Sequence, residues 1–119
     1  MARIILADDS VPILMELARS LREAGHMVTS TNNGADAVCL LAHDPPDLLI
    51  LDMLMPGLDG YEVLQTMGPT APPVIAISGG EIGEVGFDTN KVARVLLKPF
   101  DQNTLLKAVD EVLGGQYAD

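Results

Sequence analysis

Apolar residues fall along this chain in two alternating rhythms. Ile4-Ile5-Leu6-Ala7, Leu48-Leu49-Ile50-Leu51, Val74-Ile75-Ala76-Ile77 and Val95-Leu96-Leu97 are short unbroken runs, and between them apolar residues recur every three or four positions. Unbroken runs of this length suit parallel strands covered on both faces. Val28-Thr29-Ser30-Thr31 carries hydroxyls, as expected of an edge strand. The first helix is predicted from Leu14, Leu17, Ala18, Leu21 and Ala24, with Ser10 as cap, Pro12 in the first turn and Gly25 as the stop. Asn32-Asn33-Gly34 opens a second helix carrying Ala35, Val38, Cys39, Leu41 and Ala42, with His43 at its end. Tyr61, Val63, Leu64 and Met67 mark a third. After Ser78, Gly79, Gly80, Gly83 and Gly86 interrupt the pattern, so a fourth helix there should be short, distorted or absent. Asp101 caps a closing helix with Leu105, Leu106, Val109, Val112 and Leu113, which Gly114-Gly115 should stop.

This alternation predicts an α/β fold: a doubly wound five-stranded parallel sheet with helices on both faces and right-handed crossovers. Of the two common strand orders, the flavodoxin-like 2-1-3-4-5 fits better. It makes the hydroxyl-bearing second strand an edge and sets the first and third strands side by side.

Each buried run ends in a polar group: Asp8-Asp9, Asp52, Ser78 and Lys98. Ligands of open α/β sheets collect outside the carboxyl ends of the strands, so these groups should meet at one rim. Three crowded carboxylates disfavour ionisation unless a cation intervenes. An oxygen-rich acidic set of this kind calls for a hard divalent ion such as Mg²⁺, which takes one or two carboxylates, waters and a substrate phosphate.

Length and charge narrow the field. The 119 residues fit one domain, and 48% hydrophobic with 20% charged residues reads as globular. A net charge of -10 and a pI near 4.3 argue against nucleic acid and anionic membranes and favour a protein partner. Cys39 stands alone in the sequence, which fits a reducing compartment, and is expected to be a small buried hydrophobe. No apolar stretch reaches membrane-spanning length, so the cytoplasm is the expected location.

An acidic pair ending the first strand, an aspartate ending the third with Met55-Pro56-Gly57-Leu58-Asp59-Gly60 behind it, Ser78 ending the fourth and Lys98-Pro99-Phe100 after the fifth together resemble a response-regulator receiver domain. The resemblance covers residues 1–119 as one domain, free-standing or cut from a longer chain. It implies that Asp52 is the phosphoacceptor, loaded by a histidine kinase, a histidine phosphotransfer protein or a small donor such as acetyl phosphate. It implies Mg²⁺ held by Asp9, Asp52 and the backbone carbonyl of Leu54, with Asp8 acting largely through water. Lys98 would contact a phosphoryl oxygen, Ser78 would turn its hydroxyl inward on phosphorylation, and Lys98-Pro99 would be cis. Gly79 would leave access to the acyl phosphate, and Asp59-Gly60 would shape the loop behind Asp52.

The chain departs from the resemblance at Val95, where many receivers carry Tyr or Phe three residues before the lysine. The expectation drawn from this is that the Gly79–Asp88 segment itself orders on phosphorylation. The implied function is a two-component or phosphorelay switch, enzymatic only upon itself, that alters binding to a downstream protein and is a monomer or weak homodimer. Two rivals are a receiver-like binding module that takes no phosphate and a magnesium-dependent phosphatase with an aspartyl nucleophile. The phosphatase would want its nucleophile at the end of the first strand with a second acid two residues on, and Asp8-Asp9-Ser10 lacks that spacing.

Overall fold

The computed structural model describes residues 2–55, 58–68, 71–79 and 92–117. Strands β1 (Arg3–Ala7), β2 (Met27–Thr31), β3 (Leu48–Asp52), β4 (Val74–Ser78) and β5 (Arg94–Leu97) form one sheet in the order β2-β1-β3-β4-β5. Every pairing is parallel. Helices α1 (Val11–Glu23), α2 (Gly34–His43) and α3 (Gly60–Gln65) follow β1, β2 and β3, and α4 (Gln102–Tyr117) follows β5.

Three of the four unbroken apolar runs are buried on both faces, with neighbouring residues pointing to opposite sides. The fourth, Val95-Leu96-Leu97, lies on the edge strand β5 and buries only Leu96, leaving Val95 and Leu97 exposed because β5 has a neighbouring strand on one side alone. Ile4, Leu6, Leu48, Ile50, Ile75 and Ile77 pack with Leu14, Leu17 and Leu21 of α1 and Leu105 and Val109 of α4. Ile5, Ala7, Leu49, Leu51, Val74 and Ala76 pack with Ala37 of α2, Val63 and Leu64 of α3, and Met53 and Met55. All five residues of β3 and of β4 are buried, whereas the edge strand β2 buries Thr31 and leaves Met27, Thr29 and Ser30 exposed.

The helix ends follow local chemistry. Gly25 takes φ +100 just past α1, where a side chain would be strained. Asp59 caps α3 in a reciprocal box: its Oδ1 accepts from the Glu62 N–H at 3.0 Å and its own N–H donates to Glu62 Oε1 at 2.9 Å. Asp101 Oδ1 accepts from the Thr104 N–H at 2.8 Å at the start of α4.

Four other expectations change. Ser10 stands at the head of α1 but makes no side-chain cap; its N–H donates to Asp8 Oδ1 at 2.9 Å instead. Ala24 lies past the buried face of α1 and is exposed. Cys39 is exposed, because the buried line of α2 runs through Gly34 and Ala37 and position 39 falls round the helix from it. Gly114 and Gly115 do not stop α4, which continues to Tyr117. The cost of about 1 kcal/mol for each helical glycine is offset by burial of Leu105, Ala108, Val109 and Leu113 upstream. The distorted fourth helix expected after Ser78, and the switch placed at Gly79–Asp88, fall beyond Gly79 outside the described residues.

Candidate functional site

Parallel strands in this order end at the same rim, and the register carries Asp52 and Ser78 to it. Ala7 pairs with both Thr31 and Leu51, Asp52 pairs with Ile77, and Ser78 pairs with Leu97. Asp8 and Asp9 follow β1 directly and Lys98 follows β5. Backbone hydrogen bonds extend the pairing by one step. The Asp8 N–H donates to the Thr31 carbonyl at 3.2 Å, Met53 N–H to Ile77 at 2.9 Å and Lys98 N–H to Ser78 at 2.7 Å.

Carboxylate oxygens of Asp8, Asp9 and Asp52 lie within 4.8 Å of one another. Asp8 and Asp52 are buried, at 0% and 3% exposure, while Asp9 faces solvent. The half-buried Lys98 reaches in from the far side, with Nζ 3.3 Å from Asp52 Oδ2 and 3.5 Å from Asp8 Oδ2. The Leu54 N–H donates to Asp52 Oδ1 at 3.1 Å, so each oxygen of Asp52 has a defined contact. Ser78 is buried at 1% exposure at the end of β4. The Lys98-Pro99 peptide is cis.

Burial pushes the Asp52 carboxyl up to about 6; the Leu54 N–H lowers it, neighbouring Asp8 raises it and Lys98 lowers it. For Lys98, burial alone acts to lower its pKa, but Asp8 and Asp52 together outweigh that and hold the ammonium above its ordinary range. The site is an acid pair around one ammonium, with a third carboxylate at its mouth.

Such a donor set fits a divalent cation. Asp8 Oδ2 is buried and makes no hydrogen bond, its recorded contact being the 3.5 Å ion pair to Lys98. A buried carboxylate oxygen left in that state is costly unless a cation also faces it. Hard oxygen donors clustered at this spacing, one of them exposed for entry, match the preferences of Mg²⁺.

The structure brings together Asp8, Asp9, Asp52 and Lys98, sets Ser78 at the end of β4 on the same rim, and ties Leu54 to Asp52 through its N–H. Asp59 stands at the head of α3, supporting the loop. Val95 is exposed on the edge strand β5. Sequence reasoning missed Thr31, whose carbonyl anchors the Asp8 backbone. It also missed a role for Gly34, whose α-carbon abuts Leu58 of the β3–α3 connection. Asn32-Asn33-Gly34 signals a turn, but nothing in the sequence names the segment that packs against it.

Comparison with known proteins gives a consistent result. The family model described as the response regulator receiver domain matches residues 4–110. Protein PilH of Pseudomonas aeruginosa is 35% identical, with the match covering 97% of this chain and 100% of PilH. The response regulator receiver protein CpdR of Brucella abortus is 32% identical, covering 95% of this chain and 98% of CpdR. The crystal structure of NtrX from Brucella abortus in complex with ADP superposes with a TM-score of 0.86 at 28% identity, over 96% of this chain and 27% of that one.

Proposed function

Since the chain belongs to the response regulator receiver domain family, a family of signalling domains and not of classical enzymes, we propose that it is a phosphorylation-controlled switch with Asp52 as phosphoacceptor. The observation that carries this reading is the convergence of Asp8, Asp9, Asp52 and Lys98 on one rim, from segments dozens of residues apart.

In the proposed reaction an oxygen of Asp52 attacks the phosphorus of a phosphohistidine on a kinase or histidine phosphotransfer protein. One O–P bond forms, one N–P bond breaks, and the electron pair leaves with the imidazole. Burial raises the Asp52 carboxyl to about 6, so it remains mostly ionised, and nucleophilic, at neutral pH. The Leu54 N–H, 3.1 Å from Oδ1, and Lys98, 3.3 Å from Oδ2, fix the carboxylate against rotation. Lys98 also supplies positive charge toward the incoming phosphoryl oxygens. Ser78 offers a hydroxyl from the neighbouring strand end. Asp9, Asp52 and the Leu54 carbonyl would hold Mg²⁺, with Asp8 reaching it largely through water. When bound, the ion neutralises phosphoryl charge that the three carboxylates would otherwise repel.

The modified surface would alter affinity for a downstream protein by population shift. A cytoplasmic location and a monomeric or weakly dimeric state accompany this reading. Among the described residues, no helix is long and apolar enough to cross a membrane.

Mass spectrometry after incubation with acetyl phosphate and MgCl₂ tests the assignment. The native chain should gain one phosphoryl group and Asp52→Asn none. Equal gains in both would move the phosphoacceptor elsewhere, and no gain in either would favour the non-phosphorylated binding module.

A further inference from the structure

Gly34 opens α2, and its bare α-carbon faces the connection between β3 and α3. A β-carbon there would lie 1.9 Å from the Leu58 carbonyl oxygen, 2.8 Å from its carbonyl carbon and 3.0 Å from its Cβ. Two of these atoms are backbone, so no rotamer change relieves the clash. With any other residue at 34, α2 and the connection would have to part.

The corner that holds Gly34 is tied to one half of the acid cluster. Thr31 accepts the Asp8 N–H on its carbonyl at 3.2 Å, and the Asn33 N–H lies 3.4 Å from Thr31 Oγ1. Asn33 Oδ1 in turn accepts the Asp36 N–H at 2.8 Å and fixes the first turn of α2. The connection that Leu58 belongs to holds the other half. It starts at Asp52, passes Leu54, whose N–H holds Asp52 Oδ1, and ends where the Gly60 N–H donates to the Met53 carbonyl at 3.2 Å. Gly34 sits where these two halves touch.

We infer that Gly34 is a positioning residue for the site: the β1–β3 ladder fixes Asp8 beside Asp52, and the Thr31–Gly34 corner sets how near the Met53–Leu54 segment behind Asp52 stands to Asp8, the missing side chain at 34 letting that segment close on a divalent cation. Leu58 is two residues from Gly60, whose N–H holds the Met53 carbonyl, so displacing Leu58 outward pulls on Met53 and on Leu54 next to it, while Asp8 stays with Thr31. Support of this kind behind metal and phosphoryl sites changes affinity and rate by about 10- to 100-fold.

Three chains are compared: native, Gly34→Ala, and Gly25→Ala as a matched control. Gly25 has φ +100, so alanine strains it, yet nothing lies within 4 Å, and it precedes β2 at the end of the sheet opposite the acids. In metal-free protein, the Leu54 and Met53 amide resonances should shift in Gly34→Ala and stay in place in Gly25→Ala. The Mg²⁺ concentration at half-saturation, read from amide shifts, should rise about tenfold or more in Gly34→Ala alone. The initial rate of modification by acetyl phosphate should fall by at least about tenfold in Gly34→Ala alone. This last arm rests on Asp52 being the phosphoacceptor; the first two do not. A native chain that binds Mg²⁺ but takes no phosphate overturns the proposed function and leaves Gly34 to be judged on the amide and Mg²⁺ arms. Gly34→Ala matching native in those two arms, or Gly25→Ala showing equal losses, overturns the role of Gly34. If Gly34→Ala does not fold, Asn33→Ala serves instead: it loosens the same corner without adding an atom and should weaken Mg²⁺ binding about two- to fivefold, an unchanged half-saturation overturning the inference.

Discussion

Lys98 reaches Asp52 across 46 positions of sequence, its Nζ 3.3 Å from Oδ2. The same nitrogen lies 3.5 Å from Asp8 Oδ2, so one ammonium serves two buried carboxylates. Lys98→Met keeps most of the unbranched side chain, one atom shorter, and removes the charge. In metal-free buffer at pH 7.5 the variant should lose about 1–3 kcal/mol of stability in urea denaturation, because two buried acids then face each other without a counter-charge. Modification by acetyl phosphate should slow by about 10²-fold. A variant as stable and as fast as native would show that the ion pair has no role in either.

The raised Asp52 carboxyl makes metal-free stability depend on pH in a definite direction. Between its ordinary value of 3.8 and about 6, the folded chain keeps a proton that the unfolded chain has released. Folding therefore weakens as pH rises through that window: the contribution is complete below about 4 and is lost above about 6. The loss is roughly 1–3 kcal/mol. Other acids titrate in the same range, so the quantity to measure is the difference between native and Asp52→Asn. Relative to native, the Asn variant should gain stability as pH rises from 4 to 7 in EDTA. A flat difference curve would remove the attribution to Asp52.

Magnesium should reverse that weakening. At a free concentration roughly a hundred times its dissociation constant, a cation that binds the folded chain alone adds about 2.7 kcal/mol. Asp9 is exposed, so Asp9→Ala should change metal-free stability by no more than about 0.5 kcal/mol. It should nonetheless cut the increment produced by MgCl₂. Equal increments in the two chains would remove Asp9 from the ligand set.

Gly60 presents a second close approach. A β-carbon there would lie 2.6 Å from the Met53 Cα and 2.8 Å from the Asp52 carbonyl oxygen. Gly60→Ala should cost about 1–3 kcal/mol in chemical denaturation, as expected when an atom is forced into a packed interior. Gly68 has nothing within 4 Å, and Gly68→Ala should stay within about 0.5 kcal/mol of native. Equal costs would indicate a backbone effect in place of a steric one.

Much of this architecture was legible in the order of residues because the signals are local. An unbroken run such as Leu48-Leu49-Ile50-Leu51 states that both faces of its strand are covered, and the acid that ends it states where the strand stops. Hydroxyls in Val28-Thr29-Ser30-Thr31 marked one edge strand for the same reason, whereas the wholly apolar Val95-Leu96-Leu97 did not show that Val95 and Leu97 of the other edge are exposed. The unread features depend on contacts between distant segments. Cys39 and Leu41 both carry a helical apolar signal, and which of them turns inward depends on how α2 is rolled against the sheet. Gly114 and Gly115 look like a stop until the buried side chains before them are counted. Gly34 reads as an ordinary turn residue until Leu58, 24 positions away by number, is seen against its α-carbon.

Alternation along β3 has a consequence for how disturbance spreads. Leu48 and Ile50 lean on α1 and α4, and Leu49 and Leu51 lean on α2 and α3, so adjacent residues of one strand report to opposite sides of the molecule. The strand that delivers Asp52 is thus a hub between two interiors that the sheet keeps apart. A twist applied at its tip reaches both of them, and parity along the strand decides which pair of helices feels each residue move.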